Sequence, residues 1–471
     1  MKEVLKKVKE KITIENLLYL HIIICPILDI VSFIFRNVFN TSISPSTLIR
    51  PLIPICIIVY IFFKDKIKLK LLIVGSIYIV YAIVHLIIFN ILKTGSSYSG
   101  ILYELQYLIN YSFMILNLFI YLYTLKKHNA KKIQTSVLVA ITIYIVSIFI
   151  SIITKTSSST YIEKMGYKGW FESGNSISAI LILSMFILLN LVKEKKYRYW
   201  GISIIVLVGI YLTTLIGTRV GLFGFILVLF LYATVEIFIA ILHKVQLNKN
   251  ILISSIIAII CVVVVVGVVG STTLQRRKHL EYIEGNIIDK TKNEQAHISG
   301  SLLEIKEKID KNELEENYMT EAGKKSILDL YNFANRHNVI NNDMRTQQLV
   351  YNFYLVKNQS NALYILFGNG YMANYRELVL EMEIPAFLFN FGIIGFILYF
   401  SPMLCIACYS IYFGFKNRNK IDTEYIILVL GLLFSFALAF LSGYTFFNMS
   451  TTIIIIVICT LLLIKIKEIW E

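Results

Sequence analysis

The feature that most constrains this chain is a series of long, uninterrupted apolar runs. A helix needs about 20 apolar residues to cross a bilayer. A backbone in lipid must satisfy its own hydrogen bonds, so each run is predicted to be helical. We therefore expect an all-α, polytopic membrane protein with about 12 transmembrane helices. The predicted spans are 17–38, 47–63, 71–92, 102–124, 134–154, 175–192, 199–217, 219–242, 251–270, 384–413, 424–441 and 450–466.

The composition agrees with this fold class and decides what the net charge means. Of 471 residues, 57% are hydrophobic and only 16% are charged, yet the formal net charge is +15. In a soluble protein, such a basic balance would suggest a nucleic-acid partner. Here the Lys and Arg residues concentrate in the short connectors between apolar runs, as membrane topology requires. A nucleic-acid partner is therefore not expected.

The basic residues also predict how the chain is oriented. They cluster in the N-terminal segment and in alternate connectors, such as 64–70, 126–132 and 193–198. Since positively charged connectors remain in the cytoplasm, both termini are predicted to be cytoplasmic, in a multi-pass protein of the cell membrane. The opposite connectors carry few basic residues and are predicted to be extracytoplasmic.

One connector is far longer than the others and divides the chain. Residues 1–270 hold the first nine predicted spans, 384–471 hold the last three, and 271–383 form a predicted extracytoplasmic loop. Loops of this length usually have a function or a structure of their own. The helices that apolar periodicity predicts in this loop are 301–316, 323–334 and 344–356. We expect a small helical subdomain that packs on the outer side of the membrane part.

Ionisable side chains in or beside the spans are biased toward the predicted outer face. Such groups are costly in a bilayer, so each is a functional candidate. The candidates are Asp29, Arg50, His85, Glu104, Arg219 and Glu383. Each also has an ordinary explanation, because interfacial arginines serve as anchors and Asp29 can pair with a neighbour such as His85. Their shared bias to one face favours a functional site there.

Several short motifs lie around the long loop in a characteristic order. They are 168–175 before the sixth predicted span, 217–222 between the seventh and eighth, 343–345 and 366–371 in the loop, and 381–383 followed by 391–396. Together these motifs resemble the O-antigen ligase and polymerase superfamily of membrane glycosyltransferases, in particular its Gram-positive, O-antigen ligase-like branch.

The resemblance implies a polymerase or ligase of cell-surface polysaccharide that acts at the outer face of the membrane. Its donor would be an oligosaccharide on a polyprenyl pyrophosphate such as undecaprenyl pyrophosphate, and its other partners would be a glycan acceptor and membrane lipid. The sequence has no acidic metal cluster of the D-x-D type, so we expect no metal and no cofactor. A polymerase joins repeat units and a ligase hands the finished chain to another acceptor, and both alternatives stay open.

Glycan transfer of this kind needs cations for the departing pyrophosphate and a base for the acceptor hydroxyl. Arginine suits the first task because its planar fork can donate two hydrogen bonds to one phosphate. We assign Arg219 and Arg345 to the pyrophosphate, with Arg50 as a weaker third residue. Glu383 is the preferred base and Glu381 the second choice, unless Glu383 merely caps the helix that it precedes.

Two other classes of function compete with this interpretation. A transporter or flippase for the same lipid-linked oligosaccharide would have repeated halves and charges near the midplane, and the sequence shows no internal repeat. A non-catalytic membrane scaffold would use the outer Arg and Glu residues only structurally. In an enzyme, Asp29, His85 and Glu104 are expected to support the site.

Overall fold

A computed structural model of the chain describes residues 13–41, 44–64, 69–91, 101–161, 164–244, 249–279, 306–307, 309–311, 321–339, 344–358, 362–370 and 380–471. Up to the long loop the helices are α1 (Ile14–Asn37), α2 (Pro45–Lys64), α3 (Leu69–Ile91), α4 (Ile101–Tyr123), α5 (Ala130–Ile153), α6 (Gly174–Leu191), α7 (Arg198–Ile210), α8 (Arg219–His243) and α9 (Lys249–Val269). After them come α10 (Thr272–His279), α11 (Glu321–Arg336), α12 (Met344–Asn358), α13 (Leu363–Phe367), α14 (Glu383–Lys416), α15 (Thr423–Leu441) and α16 (Met449–Trp470). A short antiparallel hairpin of β1 (Ser158–Ser159) and β2 (Tyr167–Gly169) joins α5 to α6.

The all-α membrane fold is confirmed, but the predicted number of spans is not. Within the described residues, 10 helices are long and apolar enough to cross a membrane, and the number becomes 11 if one bent pair is a single span. The bent pair is α9 and α10, which meet at 45°. Gly270 lies between them with a φ of 83°, a conformation that an α-helix cannot continue through. In α3, the counterpart of predicted span 71–92, the described apolar stretch is only Gly75–Ile88.

The centre of the bundle is formed by α6 and α16. In the apolar 18-residue stretch of each helix, 94% of α6 and 83% of α16 is buried inside the protein. Both are apolar on all sides, as expected of helices that other helices surround. By contrast, only 28% of the corresponding stretch of α2 is buried. The exposed apolar side chains of α2 form a surface that lipid would cover. The buried α6 and α16 therefore give the bundle a fixed centre.

Short polar side chains mark the starts of several helices, including three near the candidate site. The side chains of Ser173, Thr218 and Asn448 each accept a hydrogen bond from the backbone N–H of the residue three positions further on. Such a cap satisfies a donor that has no partner inside the helix. The caps therefore fix where α6, α8 and α16 begin, and the first and last of these starts border the candidate site.

Two of the helices predicted in the long loop are present. The predicted helices 323–334 and 344–356 correspond to α11 and α12. They pack together through a small apolar cluster that includes Leu330 and Tyr351 and is separate from the main core. The third predicted helix, 301–316, lies mostly outside the described residues.

The glycines of the last two sequence motifs lie against each other. Gly368 follows α13 with a φ of 85°, and Gly392 interrupts the helical geometry of α14 with a φ of 68°. A Cβ at Gly368 would lie 2.1 Å from the carbonyl oxygen of Asn390, and one at Gly392 would lie 2.4 Å from the carbonyl carbon of Leu366. Only glycine allows so close a backbone approach, so these motif positions serve the contact between α13 and α14.

Candidate active site

A cavity of about 150 Å³ lies at the end of the bundle where α1 ends and α14 begins. Its walls come from the second half of α1, the first halves of α2, α4, α6 and α16, and the loop before α6. These helix ends are opposite to those that carry the Lys-rich connectors. The cavity is therefore on the side of the bundle for which the sequence predicts an extracytoplasmic position.

The more buried of two ion pairs in the cavity wall joins α1 to α2. Arg50 Nη2 donates to Asp29 Oδ1 at 2.6 Å, and Asp29 Oδ2 accepts from the hydroxyls of Tyr144 at 2.5 Å and Ser450 at 2.8 Å. Asp29 thus pairs with Arg50 rather than with His85. Arg50 is only 8% exposed, and its Nε is buried without a hydrogen-bond partner. An unused buried donor is costly, and Arg50 lines the cavity.

The second ion pair is more open. Arg36, in the last turn of α1, donates from Nη1 to Glu172 Oε2 at 2.8 Å, and the two side chains are 40% and 42% exposed. Glu172 lies in the loop before α6, where Lys168 Nζ donates to its backbone carbonyl at 2.9 Å. Burial raises the pKa of the Glu172 carboxyl, and the charge of Arg36 opposes that rise. The cavity therefore has one sealed and one accessible arginine–carboxylate pair.

A loop at 442–448, between α15 and α16, connects the cavity to Glu383. The backbone N–H groups of residues 445–447 donate to the two Glu383 carboxylate oxygens at 2.7–2.9 Å. Glu383 is 1% exposed and occupies the first position of α14. On its other side, the same loop contributes Phe447 and Asn448 to the cavity wall. Glu383 thus anchors the backbone of a segment that shapes the cavity.

Arg345, from α12, contacts the base of the same loop. Its Nε donates to Glu381 Oε2 at 3.1 Å, and its Nη1 donates to the carbonyl oxygen of Leu441. The Glu381 N–H donates to the side-chain oxygen of Gln348 at 3.2 Å. A Cβ at Gly443 would lie 2.1 Å from the Glu381 carbonyl oxygen, so the backbones touch here. Among the described residues, the cavity wall does not include Arg345 or Glu381.

His85 and Glu104 form a separate buried pair. His85 Nδ1 lies 2.7 Å from the carbonyl oxygen of Phe367, and Nε2 lies 2.7 Å from Glu104 Oε1. Because a carbonyl oxygen can only accept, Nδ1 must carry a proton. The pair is then either imidazolium with carboxylate or neutral imidazole with carboxylic acid. Either form fastens α13 to α3 and α4.

Arg219 begins α8, directly after its capping residue Thr218. The turn before it is packed closely, since the hydroxyls of Ser178 and Thr218 lie 2.8 Å apart and the Thr273 hydroxyl donates to the Thr218 carbonyl at 3.4 Å. The Arg219 side chain itself is exposed. In the part of the chain that the structure describes, Arg219 does not line the cavity.

The predicted site residues thus fall into different places. The structure brings Arg50 and Asp29 to the cavity, which also contains two residues that the sequence interpretation missed, Arg36 and Glu172. The amino-acid pattern offered only weak reasons to choose these two residues: Glu172 lies inside motif 168–175, and Arg36 lies near the end of the first predicted span. Within the described ranges, no group of three or more His, Cys, Asp or Glu residues could hold a metal ion.

Comparison with known protein families gives a match that covers nearly the whole chain. The family described as O-antigen ligase like membrane protein matches residues 10–469. No curated protein and no solved structure matches the chain significantly. The family match includes the membrane helices that form the cavity as well as the motifs around the long loop.

Proposed function

The chain belongs to the O-antigen ligase-like family of membrane proteins, and from this premise we propose that it transfers a glycan from a polyprenyl-pyrophosphate donor to a sugar acceptor. The family indicates a membrane ligase or polymerase of surface polysaccharide, with a glycosyltransferase-like role. The observation that carries the finer proposal is the cavity with two arginines in its wall. The positive-inside rule favours an extracytoplasmic position for this cavity, with both termini in the cytoplasm.

The arginines of the cavity suit a pyrophosphate for different reasons. Arg50 is held by Asp29 through Nη2, which leaves its buried Nε without a partner. Arg36 is half-exposed and can move away from Glu172. A guanidinium keeps its charge when desolvated, so both residues can stabilise the charge that develops on a departing pyrophosphate. We therefore propose Arg50 as the principal cation, with Arg36 beside it.

Arg345 and Arg219, the other two cations that the sequence predicted for the pyrophosphate, do not line the cavity in the described part of the chain. The Arg345 guanidinium is already engaged by Glu381 and by the Leu441 carbonyl, and it supports the loop at 442–448. Arg219 is exposed at the start of α8. We propose that Arg219 guides the charged headgroup of the donor toward the cavity by long-range attraction, while Arg345 acts through the loop.

Glu383 is the base that the sequence favoured, and its contacts point to a different task. Both of its oxygens accept hydrogen bonds from the backbone at 445–447. Glu383 is also only 1% exposed, so a sugar hydroxyl could reach it only if this backbone moved away. We propose that it positions the loop that carries Phe447 and Asn448, and that Glu381 supports this loop through Arg345.

The donor assignment can be tested by substituting Arg50 with lysine in the purified, full-length protein. Arg50→Lys keeps a positive charge opposite Asp29 but removes the Nε donor and the planar fork. We expect transfer to fall by about 100-fold, measured as polyprenyl pyrophosphate released from lipid-linked oligosaccharide. Arg418→Lys, in the exposed connector at the opposite end of the bundle, is the matched control. Unchanged transfer in Arg50→Lys would remove this arginine from the pyrophosphate site.

The same assay separates the competing functions. A transferase lengthens or hands over the glycan and releases the lipid pyrophosphate, whereas a flippase only moves the intact donor between leaflets. In cells that lack the protein, single repeat units indicate a polymerase, and accumulated long lipid-linked chains indicate a ligase.

A further inference from the structure

We propose that Glu172 is the catalytic base of this reaction and that Arg36 changes partner during transfer. The Glu172 carboxylate takes the proton from the acceptor hydroxyl, and the Arg36 guanidinium, released from its ion pair, turns to the departing pyrophosphate. The inference rests on the proposed function and assigns a residue and an order of events to the same site.

Glu172 is the carboxylate whose surroundings leave room for an acceptor. Asp29 has both oxygens occupied, and Glu383 is enclosed by backbone N–H groups. Glu104 is fully buried against His85. Glu172 faces the cavity with 42% of its side chain exposed. Among the described residues, the charged side chain that contacts Glu172 does so at Oε2, which leaves Oε1 for an incoming hydroxyl.

The loop that carries Glu172 is held on both sides. Before it, the N–H of Gly169 donates to the Ser157 hydroxyl at 3.0 Å, and Gly169 adopts a φ of 70°. After it, Ser173 caps α6. Lys168 Nζ also donates to the Glu172 carbonyl oxygen. A base must be held within hydrogen-bond reach of the proton that it removes, and these contacts provide that constraint on the backbone.

Uncharged polar groups in the cavity wall suit the hydroxyls of an acceptor sugar. Gln106 and Asn110 from α4 and Asn448 from the α15–α16 loop offer both donors and acceptors. The hydroxyl of Ser176 is buried and has no hydrogen-bond partner, although the residue lines the cavity and is only 5% exposed. An unsatisfied buried hydroxyl beside a cavity indicates a ligand that hydrogen-bonds there. The acceptor therefore fits the α4 and α6 side of the cavity, next to Glu172.

The transfer step balances without any further reactant. The acceptor O–H bond breaks and its proton moves to a Glu172 carboxylate oxygen. The acceptor oxygen forms a new bond to the anomeric carbon of the donor sugar. The bond between that carbon and the pyrophosphate oxygen breaks, and its electron pair leaves with the pyrophosphate. Arg50 and Arg36 stabilise the added negative charge, and the products are the glycoside, polyprenyl pyrophosphate and protonated Glu172.

Proton transfer and leaving-group stabilisation are linked through Arg36. Once Glu172 is neutral, the charge that held Arg36 at 2.8 Å disappears, and the guanidinium has no competing anion at that contact. The charged groups that act on Glu172 are Arg36 and Asp29 of α1, Arg50 of α2 and Lys168 of its own loop. Burial raises the pKa of Glu172 against the three cations, which makes it a stronger base than an exposed carboxylate.

The test compares Glu172→Gln and Glu172→Asp in the purified, full-length protein. Donor and acceptor glycolipids are extracted from cells that lack the protein, and polyprenyl pyrophosphate alone serves as the binding probe. We expect Glu172→Gln to slow transfer by at least about 100-fold, while its affinity for polyprenyl pyrophosphate stays the same or increases.

In the wild-type protein, kcat/KM should fall as the pH drops through the pKa of Glu172, because only the carboxylate can accept a proton. Glu172→Asp should keep this acidic limb, and Glu172→Gln should lose it.

Glu194→Gln is the matched control, because Glu194 pairs with Lys131 at 2.5 Å and is 36% exposed at the opposite end of the bundle. It should transfer at the wild-type rate. Wild-type transfer by Glu172→Gln would overturn the assignment, and so would a parallel loss of polyprenyl pyrophosphate binding, which indicates a structural role. Absence of any transfer by the wild-type protein would contradict the proposed function instead.

Discussion

Two carboxylates on the same side of the bundle, Glu383 and Glu172, show how differently the chain uses one functional group. Glu383 is 1% exposed and its oxygens are occupied by the backbone at 445–447. Glu172 is half-exposed and shares one oxygen with Arg36. Both lie in the motifs that carry the sequence resemblance, so the motif alone does not separate them. What separates them is whether an oxygen remains for a substrate, which depends on residues far away in the chain.

Three arginines on this side of the bundle, Arg345, Arg50 and Arg36, also differ in how their guanidinium groups are engaged by the protein. Arg345 is engaged by a carboxylate on one side and a backbone carbonyl on the other. Arg50 is almost equally constrained through Nη2, but it retains an unused buried Nε. Arg36 is about as exposed as Arg345, but its ion pair is with Glu172, which faces the cavity. Under the proposed function, Arg345 supports the loop because both of its contacts are with the protein, whereas Arg50 and Arg36 line the cavity and act on the substrate.

The largest effect on stability is expected from Arg50→Ala. This variant leaves Asp29, whose side chain is 16% exposed, charged and without its cation, and breaking a buried pair costs about 3–5 kcal/mol. The free energy of unfolding, measured by denaturant titration in detergent, should fall by that amount. The double variant Asp29→Asn with Arg50→Gln removes both charges and should recover much of the stability, but not the transfer activity. A stable Arg50→Ala protein would mean that the two ion pairs of the cavity do not differ as proposed.

A smaller loss is expected from Glu383→Gln. The glutamine side chain presents an N–H group to backbone N–H groups that had a carboxylate acceptor, and an unsatisfied buried donor costs about 1–3 kcal/mol. Unfolding in detergent should reveal this loss together with reduced transfer. Glu381→Gln, whose half-exposed side chain pairs with Arg345, is the control and should cost about 0–1 kcal/mol. If Glu383→Gln is fully stable yet inactive, Glu383 is the base and Glu172 is not.

Much of the fold could be predicted because it depends on local properties of the sequence. Apolar length predicts helices, and the alternation of basic connectors predicts which helix ends share a side. Periodicity also predicted α11 and α12 within the long loop. The predicted number of about 12 spans is not confirmed, since 10 or 11 helices qualify among the described residues.

The candidate site was less accessible to prediction because its contacts connect distant parts of the chain. Arg36 and Glu172 are separated by 136 residues, and Glu383 lies 62–64 residues before its backbone partners. No periodicity connects such positions. The sequence predicted that several ionisable residues share one side of the bundle, but only their packing shows that Asp29 faces Arg50 while His85 faces Glu104.

The smallest effect on stability and a large effect on activity are expected together from Arg36→Gln. Its ion pair with Glu172 is half-exposed, so the loss in unfolding free energy should be only about 0–1 kcal/mol. Transfer should nevertheless slow markedly, because the departing pyrophosphate loses one of its two cations, and affinity for polyprenyl pyrophosphate should weaken. Lys131→Gln removes the cation of the exposed pair with Glu194 at the other end of the bundle and should change neither quantity. If Arg36→Gln is destabilised as strongly as Arg50→Ala, both pairs are structural and the cavity has no accessible arginine for the substrate.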